Sequence, residues 1–155
     1  MIITRAKIAD LKQILELQYL AYQSEAALHN DFSIPPLKQT LEEVHQEYEK
    51  GIFLKTTDEK GGIIGSVRAF IDNDTAYINK LIVHPEKQGQ GIGTKLLLAI
   101  EQECVDSVSR YELFTSDKSI RNIKLYEKLG YVKFKEQKVA YNLTFIYLEK
   151  RVEKI

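Results

Sequence analysis

The 155 residues contain one cysteine, one methionine, three prolines and no tryptophan. A lone Cys104 excludes an intramolecular disulfide framework. Its surroundings, Leu96-Leu97-Leu98-Ala99-Ile100 and then Cys104-Val105, read as the apolar side of a helix, so a reduced, structural thiol is expected. A thiol nucleophile would need a base and an orienting group, and no spacing ties His29, His45 or His84 to Cys104. An excess of one charge is lacking too: 22 Lys plus Arg balance 22 Asp plus Glu. A net charge of zero argues against nucleic acid or an anionic membrane surface as partner. No apolar run approaches the roughly 18 to 20 residues that span a bilayer. The start, Met1-Ile2-Ile3-Thr4-Arg5-Ala6-Lys7, has no basic segment leading into an apolar core and cleavage site, so a cytoplasmic location is expected. Repeats and low-complexity stretches are also missing.

What is present is an ordinary globular balance, 44% hydrophobic and 28% charged, in a length that suits one domain over residues 1–155. Ile2–Arg5 is β-prone, and Ile8, Leu11, Ile14, Leu15, Leu17 and Leu20 follow at helical spacing. From Ala21 to Pro36 the pattern breaks up, and Asp31, Ser33 and Pro35-Pro36 predict a loop before a second helix carrying Leu41, Val44 and Tyr48. Strands are expected over 52–57, 63–71 and 75–83, joined by the turn signals Asp58–Gly62 and Asp72–Asp74 as an antiparallel meander. A helix over about 94–106 places Leu97, Ile100 and Cys104 on one face; a strand over 111–115, a helix over 119–128 closed by Gly130, and strands over 131–134 and 141–148 complete the chain. The order β-α-α-β-β-β-α-β-α-β-β predicts an α/β (α+β) domain: a mixed, mostly antiparallel sheet of about seven strands flanked by four helices.

Gln88-Gly89-Gln90-Gly91-Ile92-Gly93 stands where the long helix begins. Alternate glycines let the backbone adopt unusual dihedrals and approach a ligand closely, and the helix start adds unpaired N–H groups and a positive dipole end. That is an anion cradle, suited to phosphate. The P-loop pattern fails, since Gly93 is followed by Thr94 and then Lys95 with no matching upstream glycine, and the dinucleotide pattern G-x-G-x-x-G fails on its third glycine. NAD and ATP are therefore not expected.

These six residues match in full the [Q/R]-x-x-G-x-[G/A] loop of the GCN5-related N-acetyltransferases, which the chain resembles over nearly its whole length. Leu81-Ile82-Val83-His84-Pro85 resembles that family's fourth strand, and Leu125-Tyr126-Glu127-Lys128-Leu129-Gly130-Tyr131 its second diagnostic segment. The resemblance implies an acetyl-CoA-dependent N-acetyltransferase without a metal, acting on a primary amine of a small molecule or peptide. Leu81, Ile82 and Val83 would pair with the pantetheine arm. Gln88, Gly89, Gln90, Gly91, Ile92, Gly93 and Thr94 would donate N–H groups to the pyrophosphate. Acetyl transfer would take place where the fourth and fifth strands splay apart, between Val83 and Phe114-Thr115-Ser116.

Tyr126 stands at the position of the family's general acid, and a phenol with a pKa of about 10 keeps its proton at neutral pH. Where many relatives have an Asn seven positions before this Tyr, the chain has Ser119, with Asn122 three residues on; either Ser119 contacts the cofactor, or it caps the helix and Asn122 makes that contact. A Glu early on the fourth strand serves some relatives as base, but Tyr77 stands near that place. Glu25, His84, Asp117 or a water chain are the candidates instead. Acceptor selectivity is expected from Tyr22, Glu25, His29, Asp31, Phe32 and Ile34, and a homodimer through the apolar stretch Tyr141–Leu148. The missing Glu motivates an alternative, a non-catalytic acyl-CoA binding or sensing domain of the same fold.

Overall fold

The computed structural model describes residues 1–153. Its seven strands are β1 (Ile3–Arg5), β2 (Ile52–Thr57), β3 (Ile63–Asp72), β4 (Thr75–Val83), β5 (Arg110–Ser116), β6 (Val132–Ala140) and β7 (Leu143–Arg151). They form one sheet in the order β1-β2-β3-β4-β5-β7-β6. Every neighbouring pair is antiparallel except β4–β5, as the intervening helix predicts. The helices are α1 (Leu11–Ala21), α2 (Gln23–His29), α3 (Pro35–Lys38), α4 (Leu41–Lys50), α5 (Ile92–Cys104) and α6 (Ile120–Lys128). Among the described residues no helix is long and apolar enough to cross a membrane.

Alternation along the strands separates two apolar layers. Leu54 of β2, Val67 and Ala69 of β3, and Tyr111 and Leu113 of β5 pack with Leu96, Leu97 and Ile100 of α5 and Tyr126 of α6. Phe53, on the opposite face of β2, packs with Leu11, Ile14, Leu15 and Val44 of α1 and α4. On that second face Arg68 is buried over the Phe53 ring, donating to Gln18 at 2.8 Å and Glu47 at 2.5 Å. The meander turns form as expected: Asp58 accepts from the N–H groups of Lys60 and Gly62, and Asn73 and Asp74 both take positive φ between β3 and β4.

Two expectations need correction. The stretch 21–36 is not simply a loop, because it holds α2 and the first turn of α3. Helix α2 is short and buries only Ala26 and His29, too few positions to show a periodicity. Pro35 and Pro36 open α3 rather than mark a loop, since a proline at the start of a helix gives up an N–H that has no partner there anyway. The final strands extend further than expected, β6 to Ala140, because its residues are exposed throughout and carry no alternation for the sequence to display.

Cys104 is fully buried in the α5 layer, and burial pushes its thiol up in pKa, which keeps it protonated and inert. Cys104→Ala is therefore expected to cost about 1–2 kcal/mol in a urea melt through the small cavity it leaves. A midpoint equal to wild type would mean that the sulfur adds nothing to the packing of this layer.

Candidate active site

The parallel pairing of β4 with β5 lasts only from Thr75–Tyr77 to Arg110–Glu112. Beyond it the strands diverge, and a cleft of about 930 Å³ opens between Ile78–Val83 on one wall and Leu113–Ser116 on the other. Opposite Val67 of β3, strand β4 carries two residues, Lys80 and Leu81, between the partners Asn79 and Ile82. This bulge puts Lys80 at φ +52° and re-aims the end of β4. With β5 turned away, the backbone edge of β4 facing it borders the cleft rather than a neighbouring strand.

At one end of the cleft lies the glycine segment. Gly89 and Gly91 adopt φ +79° and +81°, and Gly91 is the N-cap of α5 without any side-chain cap. A β-carbon at Gly91 would meet nothing within 4 Å, so glycine is needed there for its dihedral, and the space above the helix N-terminus stays open. Gln88 accepts from Arg121 of α6 at 3.1 Å, and Lys87 and Arg121 line the same end, so backbone donors and cations converge. Gln88, Gly89, Gly91, Ile92, Gly93 and Thr94 all border the cleft, as do Leu81, Ile82 and Val83. Gln90 does not; it lines a separate depression with Met1, Asp58 and Lys95.

At the other end α6 presents Tyr126, which is 6% exposed and packs on Tyr131 at a centroid distance of 6.2 Å. The hydroxyls of Tyr111 and Tyr131 bond to Glu101, whereas that of Tyr126 makes no hydrogen bond to a described residue and belongs to the cleft wall. Burial, with Tyr22 and Glu25 nearby, pushes its phenol well above the usual range, so it stays protonated at neutral pH.

Ser119 and Asn122 both reach the cleft but do different things. Ser119 occupies the N-cap of α6 without capping it; its hydroxyl donates instead to the Glu25 carboxylate, whose oxygens lie 2.8 and 2.7 Å away. Asn122 makes one long bond, 3.4 Å, to Thr115. Of the base candidates, Glu25 lines the cleft and the other two do not. His84 caps the short turn Pro85–Lys87 by accepting from the Glu86 N–H, and Asp117 accepts from the Thr144 N–H. Tyr77 stacks on Phe70 away from the site. Tyr22, His29 and Ile34 line the cleft, while Asp31 accepts from Ser33 within its own turn and Phe32 is 57% exposed. Ser116 borders the cleft, as expected for the segment 114–116, and so does Lys80, which no sequence pattern singled out.

Residues 10–131 match the family model described as the acetyltransferase (GNAT) family. The chain belongs to the GNAT acetyltransferases. No curated protein matches its sequence. Its fold is also that of several solved GNAT structures. The ribosomal-protein-S18-alanine N-acetyltransferase of Escherichia coli superposes with a TM-score of 0.83 at 18% identity, over 99% of this chain and 95% of that one. An aminoglycoside 6'-N-acetyltransferase complexed with coenzyme A gives 0.79 at 18% identity, covering 100% and 99%. A phosphinothricin acetyltransferase from Sinorhizobium meliloti in complex with acetyl-CoA gives 0.78 at 18%, covering 97% and 88%.

Proposed function

We propose that this GNAT protein is an acetyl-CoA-dependent N-acetyltransferase that moves the acetyl group to a primary amine by direct attack in a ternary complex. The observation that carries this reading is the free backbone edge of β4, which runs between the glycine segment and Tyr126 along one cleft.

The residues suit coenzyme A. The space above Gly91 accommodates a pyrophosphate against the N–H groups of 88–94, with Lys87 and Arg121 supplying countercharge. Leu81, Ile82 and Val83 offer backbone groups to an amide-bearing pantetheine arm as a neighbouring strand would. Ser119 is occupied by Glu25, so Asn122 is the side chain left to contact the cofactor. Acetyl-CoA supplies the activated acyl thioester. The chain orients it along β4, polarises its carbonyl with a β4 N–H, and holds at Tyr126 a proton for the departing sulfur.

A thermal-shift titration with acetyl-CoA, coenzyme A, NAD and ATP tests the reading. The two coenzyme A species alone should stabilise the fold, by about 2.7 kcal/mol at 100 times the dissociation constant. Absence of a shift with both at millimolar concentration would refute it. Gly91→Val puts a β-branched side chain at positive φ, a strain of about 1–3 kcal/mol, and fills the cradle. Coenzyme A affinity, measured by calorimetry on folded protein, should fall at least about tenfold.

A further inference from the structure

Among the described residues lining the cleft, Glu25 is the one carboxylate, and Lys80, Lys87, Lys118 and Arg121 line other parts of it. It sits on a helix of seven residues that would have little stability of its own. Three long-range bonds fix that helix. Ser119 of α6 donates to the Glu25 carboxylate; Ser116 of β5 lies 2.7 Å from Nε2 of His29, one turn after Glu25; and Asn142, before β7, donates to the His29 carbonyl at 2.6 Å. Glu25 is thus anchored from α6, β5 and the β6–β7 turn, on the wall that also carries Tyr126.

Resting on the acetyltransferase reading, we propose that Glu25 binds the acceptor's ammonium and takes its proton, and that Ser119 is the positioning residue for this carboxylate. Glu25 lines the same cleft as the parted ends of β4 and β5, where the acyl carbon would lie. One ammonium proton passes to a Glu25 oxygen, and the freed nitrogen lone pair forms the N–C bond. The C–S bond then breaks, the thiolate takes the Tyr126 proton, and the second nitrogen proton restores the phenol. Glu25 returns its proton to solvent, so one ammonium and one thioester give one amide, one thiol and one proton.

The same lining selects the acceptor. With Glu25 the one carboxylate in the described lining, a second ammonium on the substrate finds no second carboxylate, while Leu28, Ile34, Leu143 and Phe145 offer apolar contact. The acceptor class is a monoamine on an apolar body rather than a polyamine or a basic peptide tail.

Thiol release from acetyl-CoA is measured with phenethylamine, an alanine-terminated peptide amide, lysine and spermidine. Wild type should favour phenethylamine over spermidine in kcat/KM. Glu25→Gln should lose about tenfold to hundredfold in kcat/KM at pH 7, with an unchanged coenzyme A thermal shift that reports an intact fold. The loss should shrink towards pH 9.5, because the free-amine fraction rises about tenfold per pH unit below the amine's own pKa. A purely structural defect would not shrink. The ionisable groups against Glu25 are His29 on its own helix, Tyr22 at the end of α1 and Tyr126 on α6, and Tyr22 is pushed up to about 12 by burial and by Glu25 itself. Ser119→Ala should lose about fivefold, mostly in KM for the amine, and Ser119→Thr should restore it. Wild-type kcat/KM in Glu25→Gln, or a Ser119→Ala enzyme identical to wild type, overturns the proposal and leaves the acetyltransferase reading standing. A wild type that binds coenzyme A but releases no thiol with any of the four amines overturns both.

Discussion

Tyr126→Phe is expected to lower kcat by about 10²- to 10³-fold while leaving coenzyme A affinity and folding unchanged. The ring packs on Tyr131 and keeps that contact in the variant, and the hydroxyl that is removed has no partner among the described residues. Nothing in the fold therefore depends on it, and deleting a hydroxyl that opens on the cleft without a protein partner is close to neutral. What is lost is the proton for the departing sulfur. The buried, high-pKa phenol would otherwise deliver it without the competing phenolate that an exposed tyrosine forms at alkaline pH. Steady-state thiol release at saturating substrate, together with a calorimetric titration of coenzyme A, separates the two effects. Equal kcat in the two proteins would remove Tyr126 from the chemistry and move proton delivery to solvent.

Glu101→Ala should destabilise the fold by about 3 kcal/mol, read as a lowered midpoint in urea at pH 7. Glu101 is 5% exposed on α5, inside the layer formed with β5 and β7. Its carboxylate accepts from the Tyr131 hydroxyl at 2.7 Å and from the Lys150 ammonium at 2.9 Å, and its carbonyl accepts from Tyr111. Truncation leaves a buried phenol and a mostly buried ammonium unpaired and adds a cavity, and these costs have the same sign. Glu101→Gln keeps the volume and an acceptor for Tyr131 but loses the charge opposite Lys150, so about 1–2 kcal/mol is expected. A Glu101→Ala midpoint equal to wild type would mean that Tyr131 and Lys150 find water, and that this polar core is not what ties α5 to β7.

The site was legible in the sequence wherever its chemistry is local. Gln88–Gly93 could be read as an anion cradle because positive φ at Gly89 and Gly91 and the start of α5 all fall within six residues. Tyr126 was reached through the family resemblance, because its helical spacing beside Ile123 and Leu129 reads by itself as packing. Ser119 shows the limit: its residue type and its place before a helix suggest a cap, and the bond it makes is to a carboxylate 94 residues away. Glu25 stood among three base candidates because no local pattern separates it from His84 and Asp117. The structure does so by placing only Glu25 on the cleft wall.

By itself, then, the sequence determined the alternation and helical spacing that make the strands and helices, the turn residues that connect the meander, and the glycine dihedrals at the start of α5. Each of these depends on backbone preference and side-chain periodicity within a few neighbouring residues. Only the tertiary structure decided that β4 and β5 part after Tyr77, that a bulge at Lys80 re-aims β4, and that α2 brings Glu25 to the cleft through partners on α6, β5 and the β6–β7 turn. Those contacts join residues about 90 positions apart, and their free energy exists only once the sheet has closed the intervening chain into register.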